Sequence, residues 1–204
     1  MTHILLIRHG ETDWNRQGRR QGRIDVPLNQ AGREQSLTCG QALAALPVDL
    51  ILTSPLSRAT ETARIVAGCL GYPDDRIRCE SGLIERDFGD IDGMTPAQLR
   101  AYRAKGGAEH LEPLENVRAR MLETLRTYGN GTSDRTQTIL MISHSAAIKT
   151  VFSQLYRQPD LQRKPTKNAG ISMIDADRDG LHAVAFDLRP EDARRYLQRV
   201  HMLT

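Results

Sequence analysis

Two arginines and two histidines occupy the positions in this chain from which chemistry is most readily done. Arg8 and His9 stand side by side after the apolar run Ile4–Ile7, and Gly10 follows them. His144 comes after Ser143 at the end of a second run, Ile139–Ile142, and before Ser145. Arg58 follows Thr53–Ser54–Pro55, which closes a third run, Val48–Leu52. An unprotonated imidazole offers a nucleophilic or basic nitrogen. A guanidinium offers a planar fork for an oxyanion. Arg8 at the end of a buried strand needs a partner. Arg58 in the first turn of a helix opposes the macrodipole by ~0.3–1 kcal/mol. An anion lying between them resolves both conflicts. Taken singly, the plainer readings stand: Arg58 can pair with Glu61 or Glu34, and either histidine can be a core residue bonded to backbone. The joint placement at three strand ends is what points to an anion site.

Two histidines with a nearby acid also admit a metal site. Guanidinium groups beside the ligands would repel a divalent cation, and neither HExxH nor His-x-His spacing is present. The P-loop and the GxSxG elbow are also absent from the sequence. No metal and no cofactor are expected.

The elements that must position these residues follow from the hydrophobic pattern. Ile4–Ile7, Val48–Leu52 and Ile139–Ile142 read as buried strands, with weaker ones at Ile171–Ile174 and Ala183–Phe186. Residues 54–70 read as a helix, with Ser54 as cap, Pro55 in the first helical position, and a stripe of Leu56, Ala59, Ala63, Val66 and Leu70. Residues 30–46 and 146–156 read similarly. The alternation predicts an α/β fold: a three-layer α/β/α sandwich around a mostly parallel sheet. In such sheets ligands bind beyond the carboxyl ends of the strands. Residues 94–130 are helical and polar, with a loose centre at Lys105–Gly106–Gly107, and suit a small helical lid inserted over about 94–135 of a single domain spanning 1–204.

The 204 residues carry 28 Lys and Arg against 25 Asp and Glu, and no basic run or aromatic-studded basic patch argues for nucleic acid. Three cysteines, Cys39, Cys69 and Cys79, form neither a disulfide framework nor a zinc ribbon and suit a reducing compartment. The first apolar run is too short for a signal peptide, and nothing approaches the ~18 apolar residues of a membrane span. A cytoplasmic protein, monomeric or homodimeric, is the expectation.

Five segments in register carry a family resemblance. LIRHGETDWN (6–15) resembles the RHGET/RHGQT signature of the histidine phosphatase superfamily, the phosphoglycerate mutase-like proteins. QGRIDVPLNQAG (21–32), TSPLSRATETA (53–63), LIERDFGDIDG (83–93) and ISHSAAIK (142–149) resemble further segments of that family in the same order. The chain departs from the family pattern at Ile91–Asp92, where Trp-Glu is usual, and at Ser145–Ala146–Ala147, where a glycine-rich turn is usual. The segment 108–121 also lacks the usual Gly-Glu-Ser. These departures bear on the substrate pocket and the lid rather than on the phosphate site.

The resemblance implies a covalent route. His9 attacks phosphorus, and Arg8, Arg58 and His144 hold the phosphoryl oxygens. Glu85 gives the leaving alkoxide its proton and then serves as base for water. Asn15, Thr12, Gln21, Gly22 and Ser145 complete the substrate-binding set, with Trp14 at its border. Plainer roles remain open for several of these: Glu85 can pair with Arg86, Thr12 and Asn15 can cap a turn, and Gln21 and Gly22 can shape a loop. Arg189, Arg194, Arg195 and Arg199 read as a solvated helix face.

The activity expected is a metal-independent phosphomonoesterase acting on a small phosphorylated metabolite. The alternative is a cofactor-dependent phosphoglycerate mutase. Family mutases carry adjacent arginines in a longer insert, whereas Arg100, Arg103, Arg118 and Arg120 here contain no adjacent pair. A third reading is a non-catalytic phospho-ligand or protein-binding module, which would need neither His9 nor Glu85.

Overall fold

A computed structural model describes residues 1–130, 135–200 and 202. In chain order its elements are β1 (Thr2–Arg8), α1 (Asp13–Arg16), α2 (Gln30–Leu43), β2 (Leu50–Thr53), α3 (Ser57–Leu70), β3 (Arg78–Cys79), α4 (Pro96–Ala104), α5 (Leu114–Gly129), β4 (Gln137–Ser143), α6 (Ser145–Leu155), β5 (Ile171–Asp177), β6 (Gly180–Leu188) and α7 (Pro190–Arg199). The sheet runs β3-β2-β4-β1-β5-β6. β1, β2, β3 and β4 pair in parallel, and β5 and β6 add an antiparallel edge.

Strands β1 and β4 lie at the centre and are apolar on both faces, which is why they read as continuous runs rather than alternating ones. Their side chains still sort by the two-residue period. Leu5, Ile7, Leu140 and Ile142 face a core closed by Cys39 and Leu43 of α2, the Ala59, Ala63 and Val66 stripe of α3, and Leu197 of α7. Ile4, Leu6, Ile139 and Met141 face the opposite core, closed by Val117, Met121 and Leu125 of α5 and by Val151 and Phe152 of α6. Each Leu, Ile, Val, Met or Phe among these side chains, when fully buried, contributes about 1.5–3 kcal/mol of transfer free energy. The result is the expected three-layer α/β/α sandwich.

Two expectations are corrected. The helix expected from Ser54 begins at Ser57, because the strand ladder continues through Ser54, whose N–H donates to the Ile142 carbonyl. Its first turn is capped from a distance: Asp25 Oδ1 accepts from the Ser57 N–H at 2.9 Å and from its hydroxyl at 2.8 Å. The expected lid also divides. α4 buries only Leu99, whereas α5 presents an apolar face and is a layer of the sandwich rather than a cap. Residues 131–134 of the expected lid lie outside the described residues.

Candidate active site

The parallel register sets three strand ends level. Arg8 lies opposite Ser143, and Thr53 lies opposite Ile142. The next residue along each chain is therefore His9, His144 or Ser54. The backbone carries the ladder one step further, with His9 N–H donating to the Ser143 carbonyl at 3.0 Å. The His9 and His144 rings stand 5.1 Å apart between centroids, tilted by 57°. Gly10 allows the chain to leave β1 here, since a Cβ on it would lie 2.3 Å from the Gly32 carbonyl oxygen.

His9 is buried, and its Nδ1–H donates to the Gly10 carbonyl at 2.7 Å. That bond fixes the tautomer and leaves the lone pair on Nε2. Burial, then the Arg58 and Arg8 guanidiniums, hold this imidazole well below its usual pKa, against the opposing pull of the Gly10 bond. His144 is likewise held low by burial, then by Arg58, with His9 and Arg8 adding smaller effects. Its Nε2 lies 2.7 Å from Ser54 Oγ, and its Nδ1 is buried with no partner in the protein.

Arg58 is completely buried and bonds only to carbonyls, Nη2 to Gly22 at 2.6 Å and Nη1 to Ile24 at 3.2 Å. Burial lowers its pKa. Arg8 donates through Nη1 to the Thr166 carbonyl, and burial pushes it down to about 10. Neither guanidinium has a carboxylate within ion-pairing distance among the described residues, and the Nε of each is buried without a partner. Two cations desolvated beside two neutral imidazoles make a strongly anion-seeking site. Glu85, also buried, is held at the start of α6: Oε1 accepts from Ala147 N–H and Oε2 from Ala146 N–H, both at 3.0 Å.

These residues border a cavity of about 290 Å³. Of the expected site residues, Arg8, His9, Asn15, Gln21, Glu85 and Ser145 line it, whereas Arg58 and His144 are fully buried and do not. Thr12 does not line it; it caps α1 in a capping box with Asn15 and donates its hydroxyl to Gln21 Oε1. Gly22 does not line it either; its carbonyl holds Arg58, and its N–H donates to Asp92 at 2.7 Å. Trp14 packs over Gly93 instead of bordering the cavity. Asn15 gives its amide N–H to Gln21 Oε1 at 2.8 Å, so the buried Gln21 Nε2 is the donor left without a partner.

Several contributors escaped the sequence reading. Asn168 Nδ2 donates to the His9 carbonyl at 3.2 Å and to Asn15 Oδ1 at 3.0 Å, tying the His9 backbone to the Asn15–Gln21 pair. Thr166 holds both Arg8 and Ser145. Arg120 donates to the carbonyls of Gly82, Ile84 and Glu85, and to Glu112, which in turn accepts from Asp87 N–H. Burial pushes the Glu112 carboxyl up, but the bonds from Arg120 and Asp87 outweigh it and hold the group below its ordinary value. Arg19, Arg20, Arg86, Phe88 and Lys149 line the outer cavity. Arg86, Phe88 and Lys149 fall within the quoted segments and Arg19 and Arg20 just before one, but nothing in their pattern marks them as lining a cavity. No helix among the described residues is long and apolar enough to cross a membrane.

The family model for the histidine phosphatase superfamily (branch 1) matches residues 4–188. The "Uncharacterized phosphatase PhoE" of Bacillus subtilis (strain 168) is 34% identical over 177 residues, covering 86% of this chain and 89% of its own. The "Probable phosphoglycerate mutase GpmB" of Cronobacter sakazakii is 30% identical over 183 residues, covering 86% and 85%. The solved structure of Bacillus stearothermophilus YhfR superposes with a TM-score of 0.82 at 28% identity, over 92% of this chain and 98% of that one.

Proposed function

The chain belongs to the histidine phosphatase superfamily, and from that membership we propose that this phosphatase hydrolyses small phosphomonoesters through a phosphohistidine formed on His9. The observation that carries the reading is the His9 hydrogen bond to the Gly10 carbonyl, which leaves Nε2 unprotonated under the influence of two desolvated guanidiniums. Nε2 attacks phosphorus and the ester P–O bond breaks. Arg8 and Arg58 hold the phosphoryl oxygens as charge builds. With Ser54 O–H donating to His144 Nε2, His144 Nδ1–H becomes a further donor. The leaving alkoxide takes a proton from Glu85. Water then attacks the phosphohistidine and gives a proton to Glu85, so the P–N bond breaks and orthophosphate leaves.

Metal-independent action is supported by charge: the Arg8 and Arg58 guanidiniums that disfavour a proton on His9 equally disfavour a divalent cation beside it. Hydrolysis is favoured over phosphate relocation because none of the insert's Arg100, Arg103, Arg118 and Arg120 lines the cavity, whose adjacent Arg19 and Arg20 come from the segment before Gln21. The same reading takes residues 1–204 as one catalytic domain capped by the segment from about 94 to 113. Its three free cysteines suit a cytoplasmic setting.

The test is phosphate release from p-nitrophenyl phosphate and a panel of metabolite monoesters in EDTA. Wild type should release phosphate undiminished by chelation, and His9→Ala should lose at least about a thousandfold, the scale of removing a nucleophile. Loss of activity on chelation, or activity retained by His9→Ala, would refute the proposal.

A further inference from the structure

Arg58 is completely buried, yet the backbone that holds its head is exposed. The guanidinium spends Nη2 on the Gly22 carbonyl at 2.6 Å and Nη1 on the Ile24 carbonyl at 3.2 Å. Those carbonyls lie in a stretch without helix or strand, in which Arg23, Ile24 and Asp25 are all exposed. An exposed irregular loop does not by itself keep two carbonyls converged on one planar fork.

Asp92 supplies the hold. Its Oδ1 accepts from the Gly22 N–H at 2.7 Å and its Oδ2 from the Ile24 N–H at 3.0 Å. One carboxylate thus grips the same two residues whose carbonyls grip Arg58, through charge-assisted bonds. Asp92 is itself placed by its neighbours: the Gly93 N–H donates to the Arg20 carbonyl and the Arg20 N–H to the Met94 carbonyl, both at 2.9 Å. The approach is close enough that a Cβ on residue 22 would lie 2.9 Å from Asp92 Oδ2 and from the Arg86 carbonyl oxygen. The loop also fixes the root of the arginine, because Asp25 caps α3 at Ser57, the residue before Arg58. Burial lowers the Arg58 pKa, and the Glu85, Asp25 and Asp92 charges oppose it in that order.

We propose that Asp92 is a positioning residue for Arg58: by holding Gly22 and Ile24 it sets where the guanidinium meets the transferred phosphoryl group. This inference rests on the phosphatase reading above and deepens it. Both Asp92 oxygens are taken by backbone N–H groups and the residue does not line the cavity, so it acts on the ester through what it holds. Residue 92 is one of the positions where the chain departs from its family pattern, and these bonds tie that departure to the phosphate site rather than to the lid.

The experiment measures hydrolysis of p-nitrophenyl phosphate by the full chain and its competitive inhibition by inorganic phosphate. Asp92→Asn turns one accepting oxygen into an amide that faces an N–H, and should lower kcat/KM by about tenfold or more, the scale of a small displacement of a catalytic group. The inhibition constant for phosphate should rise at least about threefold with it, since a displaced guanidinium makes weaker charge-assisted bonds to the anion. A role in folding alone would lower the fraction of active enzyme, cutting kcat while leaving KM and the phosphate constant unchanged. A double-mutant cycle is the second arm: in an Arg58→Gln background, adding Asp92→Asn should cost no more than about twofold, because the group it positions is already gone. An unchanged phosphate constant in Asp92→Asn, or the full loss repeated in the Arg58→Gln background, would overturn the positioning role and leave the phosphatase standing. If Arg58→Gln does not fold, the phosphate constant decides by itself. No hydrolysis by wild type would overturn the phosphatase reading and this inference with it.

Discussion

A histidine that attacks phosphorus has to keep its lone pair among the cations that hold the phosphate, and at His9 the environment enforces this. Burial and two guanidiniums disfavour the imidazolium, and the Gly10 carbonyl claims the Nδ1 proton. His144 shares that environment. The consequence reaches stability. Both histidines have folded-state pKa values below the unfolded value of 6.5. Above pH 6.5 neither state binds these protons. As pH falls below 6.5 the unfolded chain takes them up and the folded chain does not, so stability is lost on the acid side. Stability should therefore fall between pH 6.5 and 5, with both sites contributing in the same direction. Urea unfolding at the two pH values checks this, and His144→Gln should show about half the dependence. Equal dependence in the variant would show that His144 is not the group responsible. The sequence displayed both histidines and both arginines, because a polar pair abutting an apolar run is a local pattern. It could not display Asn168, which reaches His9 across 159 positions and sits in no pattern of its own.

Among the elements, the stretch from Gly82 to Asp87 carries Glu85, the proton donor of the proposed mechanism, and it has no regular structure beyond a single turn at Ser81–Leu83. Arg120, on α5, replaces that structure with three bonds to its carbonyls, and Glu112 closes the clamp by holding both Arg120 and Asp87 N–H. These are positioning residues for Glu85. The prediction separates them from a general structural role. Glu112→Gln should lose about tenfold or more on glycerol 3-phosphate, whose alkoxide needs a proton, and much less on p-nitrophenyl phosphate, whose phenolate leaves without one. Equal losses on both esters would assign the clamp to folding alone. Nothing in the sequence marks this pair, since a glutamate before a proline and an arginine on a polar helix face read as solvated charges. The same limit explains the start of α3: its cap, Asp25, lies 32 residues upstream, and the nearer Ser54 was the local candidate. α5 was legible as a helix but not as a sandwich layer, because its apolar stripe does not say which surface it covers.

At the scale of the molecule, the parallel register of β1, β4 and β2 brings the strand ends level, and two buried cores fix that register from either face. A slip of one residue would turn Leu5 and Ile7 to the wrong layer and carry His9 away from His144. This much of the fold was legible, because buried parallel strands are the most continuous apolar runs in the chain. The two-residue β3 and the exact reach of the β5–β6 edge were not, being too short or too half-exposed to stand out. The architecture thus delivers one imidazole nitrogen, unprotonated, to the lining of an anion-seeking cavity. The direct test is to mix the protein with a 32P-labelled monoester, quench it in alkali within milliseconds, and map the label. The account predicts an acid-labile, alkali-stable phosphoryl group on the peptide containing His9, absent from His9→Ala and discharged by water on a chase. Label on another residue, or steady phosphate release with no labelled enzyme at any quench time, would contradict it.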